Sequence, residues 1–144
     1  MKKKIVCIYS LIHFIVDLAS ITCLLNLVQS FSTDSKVMIY AIIIYNFCGF
    51  ALQMPIGAIA DRLNKNALVS SLGCILVAVA YAIPNFEILA CIVAGLGNSL
   101  FHVGGGIDIL NISDKKASLS GIFVSTGAMG IFLGTKSGPA GFDK

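Results

Sequence analysis

Ile75-Leu76-Val77-Ala78-Val79-Ala80 and Ala41-Ile42-Ile43-Ile44-Tyr45 run apolar without a break. A strand of a membrane β-barrel would alternate apolar and polar residues over about 10 positions. These runs do not alternate. In lipid every backbone N–H and C=O must be satisfied internally, which leaves a helical bundle. The expected fold is therefore all-α, a polytopic membrane bundle.

The rest of the composition agrees. Of 144 residues, 57% are hydrophobic and 12% charged, and the mean hydropathy is +0.92. Soluble domains carry about 25% charged residues, so too little polar surface is present here to enclose a water-soluble core. An ordinary cytosolic enzyme and a disordered segment are excluded. The net charge of +3 comes from ten scattered basic residues. They form no basic stripe, so no nucleic-acid partner is expected. Cys7, Cys23, Cys48, Cys74 and Cys91 lie in or beside apolar runs with no CxxC pair. They are expected as buried thiols rather than disulfides or metal ligands.

A span needs about 20 apolar residues. Five are expected, over about 5–29, 37–60, 67–83, 88–110 and 118–135, within one transmembrane domain covering 1–144. Chemistry marks the breaks: a polar stretch from Ser30 to Lys36, a charged turn from Asp61 to Asn66, Pro84-Asn85-Phe86-Glu87, and the stretch Asn111 to Lys116. Alternating the spans puts Lys2, Lys3, Lys4, Arg62, Lys65, Lys115 and Lys116 on one side and Lys36, Lys136 and Lys144 on the other, seven against three. The positive-inside rule then predicts a multi-pass protein of the cell membrane with a cytoplasmic N-terminus.

Ionisable residues inside a span are functional candidates, because each costs about 2.5–3.5 kcal/mol at mid-membrane on insertion scales. His13, Asp17 and Ser20 fall within about 60° of one another on the first span at 100° per residue. Gly95, Asn98, His102 and Gly106 fall within about 80° on the fourth. The two polar faces are expected to meet across a wet cavity. Interhelical glue is the alternative, with Asp17 held by Asn98 or Ser20. A metal site on His13, Asp17 and His102 lacks an evident third nitrogen or sulfur ligand, so neither metal nor other cofactor is expected. Asn46, Gly49, Gln53 and Gly57 on the second span repeat a 3-4-4 spacing, as do Gly127, Gly130, Gly134 and Gly138 at the fifth. Such faces let helix backbones approach closely. A bending gate is the other use of the glycines. No nucleophile stands at a recognisable spacing from His13 or His102, so no enzyme activity is expected.

The turn Gly57-Ala58-Ile59-Ala60-Asp61-Arg62-Leu63-Asn64-Lys65-Asn66 resembles the loop motif of the major facilitator superfamily, G-x-x-x-D-R-x-G-R-K. Gly57, Asp61 and Arg62 match, and Lys65 stands in for Arg. Asn64 occupies the usual Gly position, being the next most tolerant residue of positive φ, and Asn66 replaces a basic residue. His13-Phe14-Ile15-Val16-Asp17 and the stretch from Gly95 to Gly106 resemble the fosmidomycin-resistance type of drug exporter in that superfamily. Val103 stands where that type often has Pro. The similarity runs from about residue 8 to about Gly134.

The resemblance implies a proton-coupled exporter of small molecules or drugs, built from two six-span halves in the bilayer. In it the first and fourth spans line the central cavity. His13, Asp17, Asn98 and His102 then belong to the substrate and proton pathway. Gly57, Asp61, Arg62 and Lys65 form the conformational-switch motif, and Gly49, Gln53, Gly127, Gly130 and Gly134 pack helices. The tail 136–144 does not resemble the family. The sixth span and the C-terminal half of the transporter are expected to be missing from this sequence, which leaves the cavity one wall and the chain inactive alone. A different expectation is a short, non-transporting membrane protein that binds other helices through its Gly-rich faces.

Overall fold

The computed structural model describes residues 2–30, 35–114 and 116–137. Phe31 to Asp34, Lys115 and residues 138–144 lie outside the described residues. So therefore do part of the Ser30–Lys36 break, the placement of Lys115, the Gly138 step of the fifth-span stripe, and most of the tail.

The helices are α1 (Lys2–Ser30), α2 (Ser35–Asn46), a π-helical turn (Phe47–Ala51), α3 (Gln53–Leu63), α4 (Asn66–Ala82), α5 (Glu87–Ile112) and α6 (Ala117–Ser137). Four stretches are long and apolar enough to cross a membrane: Lys2–Ser30, Lys36–Leu63, Glu87–Ile112 and Ala117–Ser137. α4 is shorter, at 17 residues, about 25 Å of rise. The chain is an all-α bundle with the character of a membrane protein. Its exterior is apolar, with Leu11, Ile43, Phe50, Met54, Val124 and Phe132 exposed, whereas Ser10, His13, Asp17, Ser20, Asn98 and Ser99 are buried. That arrangement inverts a soluble fold and suits a lipid solvent.

Helix ends follow local chemistry. α3 runs through Asp61 and Arg62 to Leu63, beyond the expected end of the second span, because charged residues continue a helix readily once it leaves lipid. Asn64 then stops it in the left-handed region, at φ 48° and ψ 40°, with its N–H donating to Ala60 O. Asn is among the few residues that tolerate this cap. α1 and α5 run in opposite directions, as do α4 and α5, where Gly73 faces Phe101 and Gly97 faces Val77. Lys2 pairs with Asp114 at one end, and Ser30 Oγ donates to Glu87 Oε1 at the other, 3.4 Å away. Lys2, Lys3, Lys4, Arg62, Lys65 and Lys116 thus gather at one end of the bundle.

Glycines set the helix spacing. A Cβ on Gly73 would come within 2.4 Å of Phe101 N, and one on Gly97 within 2.7 Å of Val77 N, so α4 and α5 touch backbone to backbone. Gly95 admits the π turn in the same way, 2.7 Å from Tyr45 O and Cys48 Cβ. Gly130 and Gly134 bring α6 against Phe14 O and Ile21 of α1. The 3-4-4 stripe of the second span does not form one packing face. Gly49 lies near Gly95 and Asn98, but Gly57 meets nothing within 4 Å. Asn46 and Gln53 donate to Ile42 O and Gly49 O of their own helix, at 2.8 and 2.7 Å. The π turn, with Leu52 N–H reaching Phe47 O, underwinds the helix locally and breaks the register that an uninterrupted α-helix would have kept. Cys23, Cys48 and Cys91 are buried, whereas Cys74 is half-buried and Cys7 exposed on the apolar exterior.

Candidate functional site

Three helices build one polar cluster. His13 and Asp17 stand one turn apart on α1, His102 comes from α5, and α6 closes over them with Phe123 and Gly127. His13 Nε2 lies 3.2 Å from Asp17 Oδ2, and His102 Nε2 lies 2.8 Å from Asp17 Oδ1. The two imidazole Nε2 atoms are 3.2 Å apart, and their rings meet edge to face at 87°. His13 and Asp17 are buried, and the His102 side chain is 22% exposed. The cluster is enclosed on the apolar side by Phe101 and Phe123, whose rings lie 5.7 and 4.2 Å from that of His13.

The cluster's protons can be counted. His13 Nδ1 faces Phe123 O at 2.7 Å. A carbonyl only accepts, so Nδ1 carries a hydrogen and donates. A neutral His13 ring therefore presents a lone pair at Nε2, aimed at a carboxylate oxygen 3.2 Å away. Two acceptors at that distance need a proton or a cation between them. On the other carboxylate oxygen the need is met, since His102 Nε2–H can donate to Oδ1. His13 Nε2, His102 Nε2 and both Asp17 oxygens thus face one another closely enough for one proton or cation to bridge them.

Asp17, Asn98 and His102 also line a cavity of about 460 Å³, with Leu24, Tyr45 and Phe50 on its apolar side. Asn98 is buried, and its Oδ1 has no hydrogen-bond partner among the described residues. The π turn borders the same space through Phe50. π turns recur at functional sites, where they re-aim side chains.

The sequence-predicted residues thus divide. His13, Asp17 and His102 come into direct contact, and Asn98 shares their cavity. Asp17 takes the two histidines as partners, not Asn98 or Ser20. Gly95 packs against the π turn, and Gly106 meets nothing within 4 Å. Asp61, Arg62 and Lys65 are exposed at the basic end, away from the cluster. Gly127 belongs to the site itself, since a Cβ there would fall 2.4 Å from His13 Nε2 and 2.5 Å from Asp17 Oδ2.

A second, half-buried network escaped sequence reasoning. Tyr9 Oη donates to Asp108 Oδ2 at 2.5 Å, and Asn66 Nδ2 donates to Asp108 Oδ1 at 3.0 Å. It ties α1, α4 and α5 together near the basic end. The available signal was a carboxylate six positions beyond His102 in an otherwise apolar run.

Compared with known proteins, the chain matches no family model, no curated protein and no solved structure.

Proposed function

We propose that this chain is the N-terminal part of a multi-pass secondary transporter of the major facilitator type, oriented with its N-terminus in the cytoplasm and coupling small-molecule export to protons. The observation that carries the proposal is the His13–Asp17–His102 cluster, shared by the first and fourth spans and bordering a cavity. Buried ionisable groups that pair across helices beside a cavity are the usual makings of a proton relay. Two further features support it. Asn64 adopts the positive φ that the loop motif demands at its Gly position, and the basic residues collect at one end of the bundle.

The alternative, a non-transporting helix binder, needs free Gly faces. Gly73, Gly95, Gly97, Gly127, Gly130 and Gly134 are consumed inside this bundle, and Gly57, Gly106 and Gly121, which stay open, lie on three different helices and form no stripe on any one of them.

The test joins the chain to whatever follows it in frame in the genome. We expect seven further spans, and substrate-driven proton movement in vesicles holding the joined protein. An in-frame stop with no membrane-spanning sequence beyond it, or a joined protein that moves no protons with any of a panel of amphiphilic drugs, overturns the proposal.

A further inference from the structure

A proton is one bridge for the atoms that face one another in the cluster, and a metal ion is another. We infer that His13 Nε2, His102 Nε2 and one Asp17 carboxylate oxygen form a three-ligand site for a divalent transition-metal ion of the zinc class. Nothing in this inference depends on the transporter assignment.

The donor set is right for such an ion. Two imidazoles and a carboxylate, with a fourth position left open, are the ligands of many accessible zinc sites. The carboxylate supplies the third ligand that a search for nitrogen or sulfur alone overlooks. The spacing is also right. Zinc bonds of about 2.0–2.1 Å in a tetrahedron separate neighbouring ligand atoms by about 3.3 Å. Here the two imidazole Nε2 atoms stand 3.2 Å apart, and the ligand atoms of His13, Asp17 and His102 all lie within 4.8 Å of one another. With Oδ1 as the ligand, its 2.8 Å contact with His102 Nε2 must lengthen, as the hydrogen gives way to the metal.

Orientation is already fixed. A metal-ligating histidine usually donates its other ring N–H to a carbonyl or carboxylate, which sets the tautomer. His13 does so to Phe123 O at 2.7 Å, leaving Nε2 as the free ligand atom. The Phe123 carbonyl is held in turn by Thr126 Oγ1 at 2.8 Å. Gly127 keeps the space beside both His13 and Asp17 clear of any side chain.

The remaining position has a place to open. Asp17 and His102 both line the 460 Å³ cavity, and Asn98 Oδ1 is an unpartnered acceptor there. A divalent ion on one carboxylate keeps a net single positive charge in an apolar setting. An anion, either hydroxide or an acidic small molecule entering the cavity, would complete the shell and offset it.

The test uses the purified 144-residue chain in detergent, tag removed, with Zn²⁺ and then Co²⁺ as probes. Calorimetry should give about one Zn²⁺ per chain. Zinc-edge X-ray absorption should show imidazole and oxygen scatterers and no sulfur. His102→Gln should weaken binding at least tenfold while the helical circular dichroism is kept, since even supporting residues of metal sites cost 10–100-fold when changed. Gly127→Ala should weaken it too, and Gly121→Ala, where a Cβ meets nothing within 4 Å, should not. No stoichiometric Zn²⁺ or Co²⁺ binding overturns the inference. So does a sulfur-dominated spectrum, or equal affinity in His102→Gln and the parent chain.

Discussion

Gly127 of α6 faces His13 of α1 so closely that a Cβ on it would lie 2.4 Å from the imidazole Nε2. The hydrogen on Gly127 is therefore a structural part of the polar cluster, because any larger substituent must displace either the imidazole or the helix.

Gly127→Ala should destabilise the bundle by about 1–3 kcal/mol, the usual cost of overpacking a filled interior. Gly121→Ala on the same helix has open space and should leave stability unchanged or slightly raised. Thermal unfolding of both variants in the same detergent checks this. Equal stability would mean that α6 does not seat on the cluster.

Removing the Asp17 carboxylate leaves His13 Nε2 and His102 Nε2 without their shared partner. Asp17→Ala should cost about 1–3 kcal/mol in denaturation experiments, the penalty for stranding buried polar groups. Asp17→Asn keeps the shape and should cost less. In the joined protein Asp17→Asn should abolish proton-driven export while sparing substrate counterflow. Export that survives it would pass the coupling role to His102.

Asp61 is exposed and makes no hydrogen bond or ion pair among the described residues. In this chain Asp61→Asn should change stability by no more than about 0.5 kcal/mol, as surface substitutions do. In the joined protein the same change should slow conformational switching and leave ligand affinity intact. Matching losses in both settings would show that Asp61 works within these helices alone.

Position 65 should face the cytoplasm and position 87 the opposite side. Lys65→Cys and Glu87→Cys in a cysteine-free background, treated with a membrane-impermeant thiol reagent on intact cells, check this. The expected result is labelling at 87 only. Labelling at 65 only would invert the topology.

Tyr9→Phe removes the hydroxyl that donates to Asp108 and should cost about 1.5–3 kcal/mol, as for hydrogen bonds to charged groups. Unfolding measurements on Tyr9→Phe and Asn66→Ala, singly and together, should show coupling between the two, since both donate to one carboxylate.

The helices were legible because unbroken apolar runs such as Ile75–Ala80 admit no strand in lipid. The convergence of His13, Asp17 and His102 was legible from spacings of three and four that put them on facing stripes. What the letters could not display were groups without a distinctive side chain. The Phe123 carbonyl that orients His13 belongs to the backbone, and Gly127 acts by what it lacks. The π turn also left no mark, since Phe47-Cys48-Gly49-Phe50-Ala51 suits an α-helix equally well by propensity, and only packing against Gly95 separates the two. Asp108 was visible as a letter, but its partners come from two other helices, and one of them, Asn66, sits at a helix start where polar residues are routine.

The five-residue π turn takes one more residue into the second membrane helix than a plain helix of the same length would hold. Its wide turn advances the chain less along the axis, and rotates it less, per residue than an α-turn does. Deleting one residue between Phe47 and Ala51 would let the segment relax into a plain α-helix. The four residues left would turn through about 400° at 100° each, close to what five cover in the wider turn, so the loop at Asp61–Asn66 would keep its bearing on the cavity. The additional residue is thus housed within the turn, and the helix beyond it leaves on nearly the heading that a plain helix one residue shorter would have given.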